Sequence, residues 1–278
     1  MAVGSHGAIY RFRAVIGRIE MIFSGQVVCI TGAARGIGFA LAEAFVSQGA
    51  EVILTDLDEE SGVRSATALN ATFEKLDVRE YSSAQRVISR IVQRFGRIDV
   101  WINNAGVANH KLAVDLCPED WEEGIGVMLS GAFFCANQVG PIMIKQESGC
   151  MVNIASVNGL LAQKGRASYC SAKAGLIMLT KVLASEWGQY GVRVNAVAPG
   201  IVKTDLAIES INRGIVNEKD YLGRVPMGRW GELSEVVESV LFLANEEESS
   251  FVNGEVLRVD GGWAAYHLFH PFEDAFKA

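Results

Sequence analysis

The chain has 278 residues, half of them hydrophobic, which is enough for one sizeable buried core. A net charge of −7 leaves no basic footprint for nucleic acid or anionic membrane surfaces, and no uninterrupted apolar run reaches the roughly 18 residues of a membrane span. The five cysteines form no CxxC pair, which fits reduced thiols in a cytoplasmic enzyme and gives no reason to expect a metal.

Residues 1–20 carry Arg11, Arg13 and Arg18 against one acid, Glu20, without the continuous apolar stretch of a secretory signal. They read as a transit peptide, an added leader or an over-long start ahead of Met21, and are expected to be disordered or not native. One domain is expected over 21–278. From Gln26 the pattern becomes regular, and VVCITG is a short apolar run closed by Gly32, as a buried parallel strand should be. The turn from Ala33 to Gly38 and the helical run FALAEAFVSQG follow. Such a unit cradles a pyrophosphate, because glycines let the backbone approach and the helix N-terminus faces the anion. Gly32, Arg35, Gly36, Ile37 and Gly38 are therefore predicted to bind a cofactor. EVILTD is a second apolar strand ending at Asp56, the distance at which an acid holds an adenosine ribose. Its carboxylate would accept from a 2′-hydroxyl and repel a 2′-phosphate, so NAD is expected over NADP, with Arg35 partly offsetting the repulsion.

A helix near Glu59–Leu69, a short strand ending at Leu76-Asp77-Val78, a helix over Ser82–Phe95 and the strand IDVWIN carry the alternation on to Asn103-Asn104-Ala105-Gly106. Repeated βαβ units imply an α/β fold, a doubly wound parallel sheet with helices on both faces. Its ligands lie beyond the strand carboxyl ends, where Gly32, Asp56, Asp77 and the NNAG turn fall.

Residues 121–143 and the run through Leu176 to Leu183 read as helices that are apolar nearly all round. Such helices are covered on both sides, so a homo-oligomer, tetramer or dimer, is expected. In the second helix Tyr169 and Lys173 stand at i and i+4 and share a face. A unit positive charge about 4 Å from a phenol, at an effective dielectric near 20, can lower its pKa by roughly two to three units. The pair is thus predicted to exchange a proton with an alcohol or carbonyl near neutral pH. VRVNAVAPG is a further strand, residues 201–229 read as an irregular lid, SEVVESVLFLANE as a helix and GEVLRVDGG as the last strand. The tail carries Trp263, Tyr266, Phe269, Phe272 and Phe276 and is expected to be packed, either across a subunit interface or on its own subunit.

Over residues 24–262 the chain resembles the classical short-chain dehydrogenase/reductase (SDR) family. The matching residues are TGAARGIG at 31–38, Asp77, NNAG at 103–106, Ser156, YCSAK at 169–173, PGIVKT at 199–204 and Asp260-Gly261-Gly262. The resemblance implies a single-domain Rossmann fold with a seven-stranded sheet, a nicotinamide cofactor, and reversible oxidation of a secondary alcohol to a ketone. It implies Tyr169 as the catalytic acid/base, Lys173 as the group that lowers its pKa and binds the nicotinamide ribose, and Ser156 as the partner of the substrate oxygen. By the same resemblance Asp77 and Val78 would hold the adenine, while Asn104, Ala105 and Gly106 would lie along the adenosine ribose. Leu57 would flank Asp56, and Pro199, Gly200, Val202 and Thr204 would frame the nicotinamide. Where the family has an asparagine in a V-N-L segment that holds a proton-relaying water, this chain has Val127-Met128-Leu129, with Asn158 and Asn137 as candidate substitutes. The expected function is an NAD-dependent oxidoreductase of a small secondary alcohol of polyol, sugar or hydroxyketone type. An NADPH-dependent reductase of a β-ketoacyl thioester and a cofactor-binding scaffold without turnover are the alternatives.

Overall fold

The computed structural model describes residues 21–107, 110–212, 214 and 217–265, and the backbone of a short ladder pairing Ala14 with Ile19 and Val15 with Arg18. The expectations for the tail aromatics Tyr266, Phe269, Phe272 and Phe276, and for most of residues 1–20, lie outside the described residues.

Seven parallel strands form one sheet: β1 Val27–Thr31, β2 Glu51–Asp56, β3 Thr72–Lys75, β4 Val100–Asn103, β5 Gly149–Ile154, β6 Val192–Pro199 and β7 Val256–Val259. Their spatial order is β3-β2-β1-β4-β5-β6-β7. Direction of winding reverses between β1 and β4, which opens a crevice beyond their carboxyl ends. The helices are α1 Gly36–Ser47, α2 Glu59–Leu69, α3 Tyr81–Phe95, α4 Pro118–Ile125, α5 Gly131–Gln146, α6 Ala167–Trp187, α7 Asp205–Asn212, α8 Glu218–Leu222, α9 Leu233–Ala244 and α10 Glu246–Ser249. On one face Leu41 and Phe45 of α1 and Val240 of α9 join Ile30 and Val152 in a dry layer. On the other, Ile91 of α3, Val139 of α5 and Leu183 of α6 pack with Trp101 and Met151. Covered on both faces, β1 and β6 are buried throughout, which explains the apolar run of β1; in β6 the buried Arg193 and Asn195 are paired, with Leu243 O and Ser249 Oγ and with Val252 O.

Local chemistry sets the element ends. Asp58 caps α2 by accepting from Ser61 N, and Asn70 closes that helix in the left-handed region. The third strand stops at Lys75 rather than at Val78, because Leu76 N bonds Asp56 O and the chain then leaves the ladder. The long apolar helix is broken at Gly126–Ser130 by a π turn between α4 and α5, and the stretch 201–229, expected to be irregular, contains α7 and α8. Pro118–Gln146 as a unit is long and apolar enough to cross a bilayer by length and composition alone, although it contains no uninterrupted apolar run of that length. In this fold it packs against α3 and α6 as a core element.

A buried polar chain ties the sheet to α6. Trp101 Nε1 donates to Asn103 Oδ1 (2.8 Å), Asn103 Nδ2 to Asn153 Oδ1 (2.8 Å), and Asn153 Nδ2 to Thr180 Oγ1 (2.9 Å). All four side chains are 5% exposed or less. Each bond contributes about 1 kcal/mol net, but losing one would strand its buried partner at about 1–3 kcal/mol, so the chain fixes where α6 sits.

Candidate active site

The glycine turn is shaped by close approach. Gly32 has φ +64°, and a Cβ there would lie 2.8 Å from Ala105 Cα. At Gly38 a Cβ would fall 2.3 Å from Gly32 O and 2.6 Å from Asn104 Nδ2. Asn104 braces this turn, since its Nδ2 donates to Thr31 O and Gly32 O, each at 2.9 Å. Gly36, at φ +60° with nothing within 4 Å of a Cβ, opens the start of α1.

The strand ends and the loops after them enclose one cavity of about 710 Å³. Gly32, Arg35, Gly36 and Ile37 line its first stretch, with Asp56 and Leu57 after β2 and Asp77 and Val78 after β3. Asn104, Ala105 and Gly106 follow β4, and Pro199, Gly200, Val202 and Thr204 follow β6. Ser156, Tyr169 and Lys173 line the same cavity. Gly38 is the exception: it does not line the cavity but lies beneath the turn, where its missing side chain lets α1 meet β1.

These surroundings fit a nicotinamide dinucleotide. The cradle at Gly32 and Gly38 leaves no room for side chains, so backbone faces the space where phosphates would lie. Asp56 is anchored for its predicted role: Oδ2 accepts from Ala34 N and Oδ1 from Asp58 N, both at 3.0 Å. Asp77 carries a partner that the sequence did not reveal. Arg79 donates to its two oxygens at 3.0 and 2.7 Å and holds its carboxyl below the usual range.

Lys173 is 4% exposed, and its Nζ donates to Ile154 O at 2.5 Å and lies 5.8 Å from the centre of the Tyr169 ring. Burial brings its pKa down to about 8. Tyr169 is pushed up by burial, a rise partly offset by hydrogen bonding to Ser156 and by the Arg166 charge. Desolvation is the largest influence on both groups, and Lys173 commits a proton to a carbonyl.

Met128 is 2% exposed in the π turn, against Gly106. Of the two asparagines considered as substitutes, Asn137 accepts from Tyr81 OH at 2.9 Å and does not line the cavity, whereas Asn158 does line it, donating to Gln163 Oε1 at 2.6 Å. Two more wall residues, Arg166 and Tyr221, escaped the sequence reading, and a third, Trp263, is the first of the tail aromatics, expected to be packed. Arg166 stacks on Tyr169 with its Cζ 5.1 Å from the ring centre, Tyr221 bonds Gln163, and Trp263 packs edge-on to Tyr221 at 5.7 Å. Arg166 stands one turn before Tyr169, so the i−3 spacing was the available signal.

Fold and site together define an NAD(P)-dependent oxidoreductase acting on CH–OH groups, and the chain belongs to the short-chain dehydrogenase/reductase family. The family model described as Enoyl-(Acyl carrier protein) reductase matches residues 32–264. The 3-oxoacyl-(acyl-carrier-protein) reductase FabG of Thermotoga maritima is 40% identical over 247 residues, covering 87% of this chain and 99% of that protein. The trans-4-hydroxycyclohexanecarboxylate dehydrogenase of Sinomonas cyclohexanicum is 36% identical over 261 residues, covering 90% of this chain and 97% of that one. The crystal structure of levodione reductase matches with a TM-score of 0.83 at 31% identity, covering 88% of this chain and 100% of that one.

Proposed function

We propose that the protein interconverts a small polar secondary alcohol, of polyol, sugar or hydroxyketone type, and the matching ketone with NAD. The observation that carries this reading is the meeting of Ser156, Tyr169 and Lys173 on the wall of a cavity that also reaches Asp56. Bound NAD would accept or return the hydride. Ser156 would hold the substrate oxygen, Tyr169 would take or give its proton, and Lys173 would supply polarity beneath the tyrosine and hold the nicotinamide ribose. Asp56 would favour a ribose 2′-hydroxyl over a 2′-phosphate. Asn158, Gln163 and Tyr221 add hydroxyl-binding groups to the wall.

A second reading, an NADPH-dependent reductase of a 3-oxoacyl thioester, draws on the 40% identity to FabG. Steady-state rates with both cofactors over a panel of alcohols, ketones and 3-oxoacyl thioesters separate the two. NAD-linked alcohol oxidation supports the first, and NADPH-linked thioester reduction replaces it. We also propose one domain over 21–278, a homo-oligomer, and a cytoplasmic location. Exposed Phe133, Met178 and Val182 support the oligomer, and the buried free thiols of Cys29, Cys135 and Cys150 support the location.

A further inference from the structure

We propose that Arg166 and His110 form a carboxylate-binding subsite at the substrate end of the cavity, so that the substrate is a hydroxy acid or the corresponding keto acid. The inference rests on the oxidoreductase reading above, keeps its small polar secondary alcohol, and replaces the polyol, sugar or hydroxyketone type with one that carries a carboxylate. Both residues line the cavity. Each keeps a buried nitrogen without a hydrogen-bond partner, Nε of Arg166 and Nε2 of His110. Buried polar atoms are rarely left unpaired, because each such loss is costly. Both lie just behind the cavity surface, Arg166 over the catalytic tyrosine, where a small rotation of either side chain turns an unspent donor toward a ligand's acceptor atoms.

The arrangement is built by the backbone. Lys111 N donates to Gly165 O at 3.1 Å, which lays the segment holding His110 against the turn that opens α6. Gly165 makes that turn at φ +77°, and Arg166 follows as the N-cap residue of α6. Its guanidinium carbon lies over the Tyr169 ring, 5.1 Å from the centre, so an anion bound to it sits near the reacting oxygen.

Charge selects the ligand. Lys111 is paired with Asp120 at 2.5 Å, and Arg79 with Asp77 at 2.7 Å. Among the described residues no ion pair engages Arg166. Glu123 and Glu209 also line the cavity, and Glu123 acts on Arg79. Burial and the Arg166 charge bring His110 down to about 4, so at neutral pH it offers an N–H without a charge. One cation with one neutral donor matches a carboxylate monoanion, and a phosphate dianion would be left under-compensated.

The test has a kinetic and an equilibrium arm. Kinetically, 3-hydroxybutyrate, 4-hydroxyvalerate and 4-hydroxycyclohexanecarboxylate are each compared with the carboxamide. At least one acid is expected to exceed its amide in kcat/KM by about ten- to a hundredfold, the range for a charge-assisted hydrogen bond. Arg166→Gln is expected to collapse that ratio and Arg166→Lys to keep part of it. At equilibrium, calorimetry with butyrate, cyclohexanecarboxylate, their amides and cyclohexyl phosphate reads the subsite without turnover. Acids no better than amides in both arms, or an acid-to-amide ratio unmoved by Arg166→Gln, overturn the proposal, as does phosphate binding tighter than carboxylate. Absence of turnover on every alcohol, with carboxylate binding intact, defeats the oxidoreductase reading and leaves the subsite standing.

Discussion

Burial drives Tyr169 and Lys173 toward their neutral forms from opposite sides, the phenol upward and the ammonium down to about 8. A lysine whose folded pKa lies below its unfolded value near 10.5 is a cost to the fold while protonated. That cost is fully present below about pH 8 and is relieved as pH climbs toward 10.5, because the unfolded chain then holds more protons. Relative to Lys173→Met, the wild type is expected to gain up to about 3 kcal/mol over that interval, read by urea denaturation. The chemistry gives a second expectation. Tyr169→Phe should lower kcat by about 10² to 10⁴, the range for a lost acid/base group, while cofactor affinity holds in a fluorescence titration. The tyrosine and lysine were legible because four residues of helix place them together. For Arg166 the only signal was its i−3 spacing from Tyr169, weakened because it lies just ahead of the helix, and the placing of His110 follows from the bridge between Lys111 and Arg166, which no local pattern encodes.

At the scale of elements, the glycine turn works through what it leaves out. Gly38→Ala would drive a methyl to 2.3 Å from Gly32 O and 2.6 Å from the Asn104 amide, and overpacking of this kind costs about 1–3 kcal/mol. The expected result is a Tm lower by several degrees in calorimetry, with weaker cofactor binding because Asn104 no longer braces Gly32. Strands and helices with strong periodicity could be read directly, as α2 shows. The π turn at Gly126–Ser130 could not, because an extra residue inside a helix leaves the apolar pattern almost intact. The helices within 201–229 were hidden for another reason: α8 spans only Glu218–Leu222, and Gly223, Pro226 and Gly228 follow it.

For the whole molecule, the alternation of elements announced a parallel sheet, but alternation alone does not give strand order. Neighbours in the sheet are set by the packing of the crossover helices. The outer faces of α5 and α6 keep Phe133, Met178 and Val182 at 44%, 58% and 43% exposure. Met178→Glu combined with Val182→Glu is expected to lower the assembly mass in light scattering while leaving the far-ultraviolet spectrum of the subunit unchanged. An unaltered mass would place the contact elsewhere.

The position of β1 between β2 and β4 also bears on how the chain is made. Val27 N donates to Asp99 Oδ2 at 2.8 Å across 72 positions, so one flank of this interior strand finds its neighbour only after that much more chain exists. At about 5–20 residues per second on the ribosome, the wait is roughly 4 to 14 seconds. Throughout it, VVCIT is a charge-free, β-favouring edge with no covering strand. Soluble yield should therefore respond most to synonymous codons that slow translation between β2 and β4, a sensitivity that belongs to the nascent chain and leaves no trace in the finished enzyme.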